Sequence, residues 1–174
     1  MSDNLYSIWL VPRKDFLIPL ADCINHNSFI SKQPAFIPHM TLFTSGKNIL
    51  DDFDNYVSQL KYQSIKLRVE SLIKDEESYY MNYYLKLSNT KELDGFFDNI
   101  KQLDISSNYQ LKPHISLSYG ANDFSDFVTY DFSEDIIFDE LVIMEYSPKG
   151  STKAVLDFKI LKSYNLQTQK LIKY

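Results

Sequence analysis

The sequence predicts an α+β protein built from two similar halves, and three observations lead to this prediction. The chain of 174 residues is 44% hydrophobic and rich in Tyr and Phe, which favours a folded, β-rich core. Segments with strand and helix periodicity alternate along it. A related eight-residue pattern occurs twice, as PHMTLFTS at 38–45 and as PHISLSYG at 113–120.

The first half is predicted to run strand, helix, histidine-containing strand, helix, strand. Its first apolar run ends at Pro12, its helices show apolar residues at helical spacing, and its last segment alternates apolar and charged residues. The predicted elements are a strand at 5–11, a helix at 16–28, a strand at 39–44, a helix at 50–61 and a strand at 65–73.

The second half repeats this order. Its predicted elements are a strand at 79–87, a helix at 90–103 capped by Thr90, a strand at 114–119, a short helix near 123–129, and strands at 136–146 and 154–162.

The spacing of the two histidine strands supports a duplication. His39 lies 34 positions after Leu5, and His114 lies 35 positions after Tyr79. No linker rich in Pro, Gly or Ser separates the halves. We therefore expect residues 1–174 to form a single domain of two pseudo-symmetric lobes, with the histidine strands facing each other across a cleft.

Composition limits the partners and the compartment. The formal net charge is −5 and no long basic run occurs, so duplex nucleic acid and anionic membranes are not expected partners, whereas a small phosphate ester is not excluded. The single cysteine, Cys23, rules out an intramolecular disulfide and a cysteine-based metal site. No apolar stretch approaches the roughly 20 residues of a spanning helix. We expect a soluble intracellular, cytoplasmic protein and a monomer.

The repeated pattern pairs one imidazole with one hydroxyl. Side chains two apart on a strand share a face, so His39 lies beside Thr41 and His114 beside Ser116. One such pair is usually structural, but two copies at matching places in a repeat favour function. His26 has no such context, and we expect it to have a structural role.

This set of side chains fits hydrolysis of a phosphodiester. One imidazole can remove a proton from water while the other protonates the leaving oxygen. Hydroxyl groups can hydrogen-bond the phosphoryl oxygens. The chemistry requires no metal or cofactor, and three histidines without ligand spacing make a zinc site improbable.

The motifs resemble those of the 2H phosphoesterase superfamily, and more narrowly the cyclic phosphodiesterases of fungi and plants. The likeness is carried by YSIWLVP at 6–12, FIPHMTLF at 36–43 and KPHISLSYG at 112–120. It implies a bilobal α+β fold, an antiparallel sheet with helices in each lobe, and an active site in the cleft between them. It also implies His39 and His114 as proton donor and acceptor, and Thr41 and Ser116 as phosphate-binding residues.

Two aromatic residues are further candidates for substrate binding. Tyr119 matches an aromatic hydroxyl that helps hold substrate or water in plant relatives. Strict alternation places it on the face opposite His114, so this role requires the strand to end or twist, which Gly120 makes plausible. Trp9 could stack on a nucleobase or belong to the core.

The resemblance implies hydrolysis of ADP-ribose 1″,2″-cyclic phosphate to ADP-ribose 1″-phosphate, and of nucleoside 2′,3′-cyclic phosphates to 2′-phosphates, at the end of tRNA splicing metabolism. Fungal relatives also suggest association with the Golgi. The alternatives are an RNA-end phosphodiesterase or RNA-ligase-like 2H enzyme, and a non-catalytic module that binds cyclic phosphates. The sequence does not assign which histidine is the acid and which is the general base. It also does not define which nucleobase the substrate carries.

Overall fold

The computed structural model describes residues 4–147 and 155–174, which form two antiparallel sheets with helices packed against them. The strands are β1 (Leu5–Pro12), β2 (Met40–Ser45), β3 (Ile65–Leu67), β4 (Val69–Lys74), β5 (Tyr83–Leu87), β6 (His114–Ser118), β7 (Ile136–Tyr146), β8 (Lys159–Asn165) and β9 (Lys170–Lys173). The helices are α1 (Lys14–Ser31), α2 (Leu50–Val57) and α3 (Lys91–Ile100), the last continued by a 3-10 turn at Lys101–Leu103.

The larger sheet brings both ends of the described chain together. Its strand order is β2-β1-β7-β8-β9. The long strand β7 pairs with β1 along its length, with β8 through Glu140–Glu145, and with β3 through Ile136–Phe138. The C-terminal strands therefore belong to the same sheet as the first histidine motif.

The smaller sheet has the order β4-β5-β6 and holds the second histidine motif. The pairing of β5 with β6 corresponds to the pairing of β1 with β2, and both are antiparallel. Each histidine strand is thus an edge strand beside the first strand of its own half.

One hydrophobic core joins the two sheets. Fully buried side chains from β1 and β2 pack in the same cluster as side chains from β5 and β6. Helix α1 contacts both β1 and β6, and α3 contacts β2. Buried Asn27 on α1 donates from Nδ2 to the carbonyl of Leu117 on β6 at 3.2 Å, which fixes the helix against the second histidine strand.

Several predicted boundaries are wrong for identifiable reasons. The strand predicted at 65–73 is two strands, because Arg68 is where the chain leaves the larger sheet for the smaller one. There its backbone pairs with Ser88, whose N–H donates to the Arg68 carbonyl at 2.8 Å. The strand predicted at 79–87 begins only at Tyr83, after a series of turns.

The short helix predicted near 123–129 is not present. The side chain of Asn27 holds this segment by two hydrogen bonds to the backbone of Val128, and a turn at Asp123 precedes it. At the C-terminus, the strand predicted at 154–162 is shifted to Lys159–Asn165, and residue 154 lies outside the described residues. Strand β9 was not predicted from the sequence.

Within residues 4–147 and 155–174, no helix has the length and apolar character needed to cross a membrane.

Candidate active site

A β-bulge at the same position of each histidine motif determines which side chains face the cleft. Ile8 and Trp9 of β1 pair with Phe43 and Thr41 of β2, so Leu42 is an extra residue in β2. Beyond a bulge the alternation of faces is reversed. Thr44 consequently faces the cleft together with Thr41, although the two lie three residues apart.

The second histidine strand has the matching bulge. Tyr83 of β5 pairs with Ser118 and Tyr84 pairs with Ser116, which leaves Leu117 as the extra residue. Tyr119 therefore faces the cleft with Ser116. The conflict between strict alternation and a cleft-facing Tyr119 is resolved by this bulge.

A cavity of about 480 Å³ lies between the two histidine strands. All six candidate residues from the sequence line it: Trp9, His39, Thr41, His114, Ser116 and Tyr119. Its volume falls within the range of small-molecule sites, roughly 300–1,000 Å³.

The two histidines are held in the same way. Nδ1 of His39 lies 2.6 Å from the carbonyl oxygen of Ile37, and Nδ1 of His114 lies 2.6 Å from the carbonyl oxygen of Lys112. A carbonyl oxygen only accepts hydrogen bonds, so Nδ1 of each ring carries the proton. Nε2 of each neutral ring is then left as a free base, and the orientation of each ring is fixed.

Trp9 is part of the support of His39. Its ring stacks on the imidazole of His39 with the centroids 3.6 Å apart and the planes inclined by 11°. Phe158 packs edge-on against Trp9 at 5.3 Å. Only 3% of Trp9 is exposed, so it both lines the cavity and belongs to the packed wall around it. Stacking of a nucleobase on Trp9 stays a prediction.

Both imidazoles are less basic than a free histidine. Burial, opposed in part by the hydrogen bond to Ile37, lowers the pKa of His39 to about 3, and the nearby His114 contributes to the lowering. Burial also lowers the pKa of His114, with the Lys112 charge acting in the same direction and the hydrogen bond to Lys112 in the opposite one. Both rings are therefore neutral at pH 7 in the free protein.

The two predicted phosphate-binding hydroxyl groups differ in their hydrogen bonding. Ser116 Oγ donates to the carbonyl of Tyr80 at 2.8 Å. The Thr41 hydroxyl has no hydrogen-bond partner among the described residues, and its side chain is only half-buried. Thr41 is thus ready to donate to a ligand, whereas Ser116 would first have to leave Tyr80.

Tyr119 is positioned by an aromatic stack. Phe36 lies against its ring with centroids 3.9 Å apart and planes inclined by 14°, and Phe36 also contacts His39 edge-on at 6.1 Å. Burial raises the pKa of Tyr119, so its hydroxyl keeps its proton at neutral pH. The segment just before the first motif thus helps to position side chains of both lobes.

Several polar residues that line the cavity were not predicted from the sequence, among them Ser7, Thr44 and Lys112. Ser7 and Thr44 share a hydrogen bond of 2.8 Å between their hydroxyls on the first lobe. Lys112 lies on the second lobe and is the one lysine among the described residues that line the cavity, which include no arginine and no carboxylate. The bulge concealed Thr44, whereas period-two spacing from His114 could have identified Lys112.

Neither the third histidine nor the single cysteine lines the cavity. His26 is exposed and lies outside the cavity, with Nε2 3.3 Å from the carbonyl of Asp126. Cys23 is buried, and burial raises the pKa of its thiol to about 11. In the part of the chain that the structure describes, no group of three or more His, Cys, Asp or Glu side chains could hold a metal ion.

No family model matches the sequence, and no curated protein matches it. Solved structures share its fold. E. coli LigT complexed with NADP+ superposes with a TM-score of 0.64 at 14% identity, covering 93% of this chain and 97% of LigT. The complex of E. coli LigT with 3′-AMP superposes with a TM-score of 0.61 at 13% identity, covering 92% of this chain and 96% of LigT.

A third structure, TT0787 of Thermus thermophilus, gives a TM-score of 0.64 at 12% identity and covers 94% of this chain and 98% of its own. Identities this low establish a common fold and not a common activity. The predicted α+β class with antiparallel sheets is confirmed.

Proposed function

We propose that the protein is a 2H phosphoesterase that hydrolyses cyclic phosphodiesters of small nucleotides by acid–base catalysis with His39 and His114. The observation that carries the proposal is the matched anchoring of the two rings. Each Nδ1–H is bound to the carbonyl two residues before it at 2.6 Å, and both rings line one cavity. The reaction needs two imidazoles whose Nε2 atoms are not bound to the protein, one neutral as the base and one protonated as the acid.

The reaction follows from this arrangement. Nε2 of one histidine removes a proton from a water molecule, whose oxygen attacks phosphorus. The other histidine must first take a proton from solvent on Nε2; the P–O bond to one ribose oxygen then breaks, and that oxygen takes this proton. Thr41 and, once released from Tyr80, Ser116 donate to the phosphoryl oxygens where negative charge develops.

The proposed substrates are nucleoside 2′,3′-cyclic phosphates and ADP-ribose 1″,2″-cyclic phosphate, as in the cyclic phosphodiesterases of fungi and plants. LigT, which has the same fold, forms complexes with 3′-AMP and with NADP+. A cavity of about 480 Å³ with aromatic walls suits a nucleotide of this size.

The direction of ring opening is part of the proposal. The cavity is asymmetric, with Trp9 and Phe158 beside His39 and Lys112 beside His114. We expect a single orientation of substrate, in which the 3′-oxygen leaves and the 2′-phosphate remains. Phosphorus NMR of the product from 2′,3′-cyclic AMP distinguishes it from the 3′-phosphate.

Turnover tests the proposal against the alternatives. The purified protein should hydrolyse 2′,3′-cyclic AMP and ADP-ribose 1″,2″-cyclic phosphate with higher kcat/KM than a short RNA that ends in a 2′,3′-cyclic phosphate. Faster turnover of the RNA would assign an RNA-end phosphodiesterase instead. Binding of all three compounds without turnover would assign a non-catalytic binding module.

A further inference from the structure

Lys112 supplies an unneutralised positive charge to the cavity. No carboxylate in the described part of the chain lies within ion-pair distance of it. Ile37, which holds the matching position before His39, does not line the cavity. The cation therefore marks one end of the cleft and breaks its pseudo-symmetry.

The segment that leads to Lys112 presents polar groups at every second residue. Asn108, Gln110 and Lys112 all line the cavity with exposed side chains. At the matching positions before His39 the chain has Gln33, Ala35 and Ile37, and none of the three lines the cavity. Amide and ammonium donors line the cavity on this rim and not on the matching one, which favours an anionic group on the second lobe.

This rim is anchored although it has no regular secondary structure. Ser107 Oγ donates to the carbonyl of Thr44 at 2.8 Å, and the Tyr109 hydroxyl donates to the carbonyl of Thr41 at 3.1 Å. At its other end, the carbonyl of Lys112 accepts the Nδ1–H of His114. The rim is thus tied to both histidine strands, and its position relative to the catalytic centre is defined.

Lys112 and Ser116 lie on opposite sides of His114 along the chain. The ladder between β5 and β6 continues to Pro113, whose carbonyl accepts from Leu87 N–H at 3.0 Å, so the backbone stays extended. Extended chain advances roughly 3.3 Å per residue, which separates the Lys112 and Ser116 backbones by about 13 Å. The ammonium group is therefore better placed for a group beyond the reacting phosphate than for the oxygens held by the hydroxyls.

We propose that Asn108, Gln110 and Lys112 form a subsite for a second phosphate, attached to the 5′-oxygen of the ribose that carries the cyclic phosphate. This inference rests on the proposed function for the position of the reacting phosphate. A terminal 5′-phosphate, a pyrophosphate and the next phosphodiester of an RNA chain share this chemistry. The subsite selects nucleotides that have a second phosphate over nucleosides that carry the cyclic phosphate alone.

The test compares pairs of compounds that differ only in the 5′-phosphate. We expect wild-type kcat/KM for 5′-phosphorylated 2′,3′-cyclic AMP to exceed that for 2′,3′-cyclic AMP by about tenfold. This ratio is at the lower end of the range for a charge-assisted hydrogen bond, because the side chain of Lys112 is exposed to solvent. Lys112→Met should bring the ratio close to one, and Lys112→Arg should preserve most of it. Lys91→Met, an exposed lysine outside the cavity, should retain the wild-type ratio.

Binding provides a second measurement that does not depend on turnover. By calorimetry, wild-type protein should bind adenosine 2′,5′-bisphosphate more tightly than 2′-AMP, and Lys112→Met should remove the difference. If the protein shows this Lys112-dependent difference in binding but hydrolyses neither 2′,3′-cyclic AMP nor its 5′-phosphorylated form, the subsite is supported and the proposed function is overturned. Equal binding of the two ligands by wild-type protein, or a preference that survives in Lys112→Met, would overturn the subsite.

The source of the second phosphate is distinguished by a dinucleotide that ends in a 2′,3′-cyclic phosphate. A Lys112-dependent preference for both the dinucleotide and the 5′-monophosphate would support a subsite that accepts diesters, including RNA. A Lys112-dependent preference for the 5′-monophosphate alone would support a subsite for the terminal phosphates of small nucleotides.

Discussion

Each candidate catalytic histidine has one ring nitrogen bound to the protein backbone and the other available to a ligand. The sequence predicted the pairing of each imidazole with a hydroxyl, since a period of two needs no tertiary information. It did not predict that the backbone carbonyl two residues earlier would hold each ring. Nor did it predict that Trp9 would stack on His39, because that contact depends on a side chain of the neighbouring strand.

The lowered pKa values predict an unusual pH dependence. The reaction needs one protonated and one neutral imidazole, and kcat/KM reports the free enzyme. Because both free-enzyme pKa values lie below the ordinary 6.5, kcat/KM should peak below pH 6.5. A bound phosphate anion favours the protonated imidazole, so the kcat optimum should lie at higher pH. A kcat/KM maximum above pH 7 would contradict this.

Removal of the Trp9 stack should affect His39 specifically. Trp9→Leu exposes one face of the imidazole to water, so the pKa of His39 should rise towards 6.5 and kcat should fall roughly three- to tenfold, the range expected from an aromatic pair. NMR titration of the histidine signals gives the pKa directly. Trp9→Phe retains a stacking ring and should stay closer to wild type. An unchanged His39 pKa in Trp9→Leu would show that the stack has no such role.

At the scale of the strands, the paired bulges decide which side chains reach the cavity. The sequence alone indicated two apolar strands but not the extra residue in each, because a bulge is defined by the pairing partner. Leu42 and Phe43 are fully buried, and so are Leu117 and Ser118, so each bulge directs two successive side chains into the core. Thr44 and Tyr119 are thereby turned to the cleft. Similarly, sequence periodicity could not show that the chain changes sheet at Arg68.

Gly120 ends the second histidine strand in a conformation that favours glycine. Its φ is +58°, and a Cβ atom there would overlap the Tyr79 ring. We expect Gly120→Ala to lower the free energy of unfolding by at least about 1–2 kcal/mol, the cost of left-handed backbone for an L-residue. Urea denaturation measures this change.

Gly46→Ala is the matched control, because the nearest atom to its added Cβ is Leu5 Cδ2 at 3.9 Å. It should leave the free energy of unfolding within about 0.5 kcal/mol of wild type. Equal stability of the two variants would show that neither the backbone angle nor the Tyr79 contact constrains position 120.

For the whole molecule, the family resemblance implied two lobes around a cleft. The sequence pattern did not predict which sheet the C-terminal strands join. Strands β7–β9 return to the sheet that begins the chain, so the halves of the sequence are not the halves of the fold. A shared core and an anchored rim connect the lobes. We therefore propose that residues 1–174 act as one domain.

The proposed reaction should not depend on a metal ion. Proton transfer by two imidazoles and hydrogen bonds from hydroxyls perform the tasks that a Lewis acid would otherwise perform. Hydrolysis of 2′,3′-cyclic AMP should therefore continue at an unchanged rate in EDTA. Loss of activity that one added divalent metal restores would show that metal ligands have been overlooked.

Catalysis by the paired histidines is tested most directly by the kcat/KM of three histidine variants for 2′,3′-cyclic AMP. His39→Ala and His114→Ala should each lower it by at least roughly 10²-fold, the usual contribution of a positioned acid or base. His26→Ala is the internal control, since this histidine is exposed and outside the cavity, and it should match wild type. Circular dichroism should show all three variants folded. Near-wild-type kcat/KM in folded His39→Ala or His114→Ala would contradict catalysis by the paired histidines.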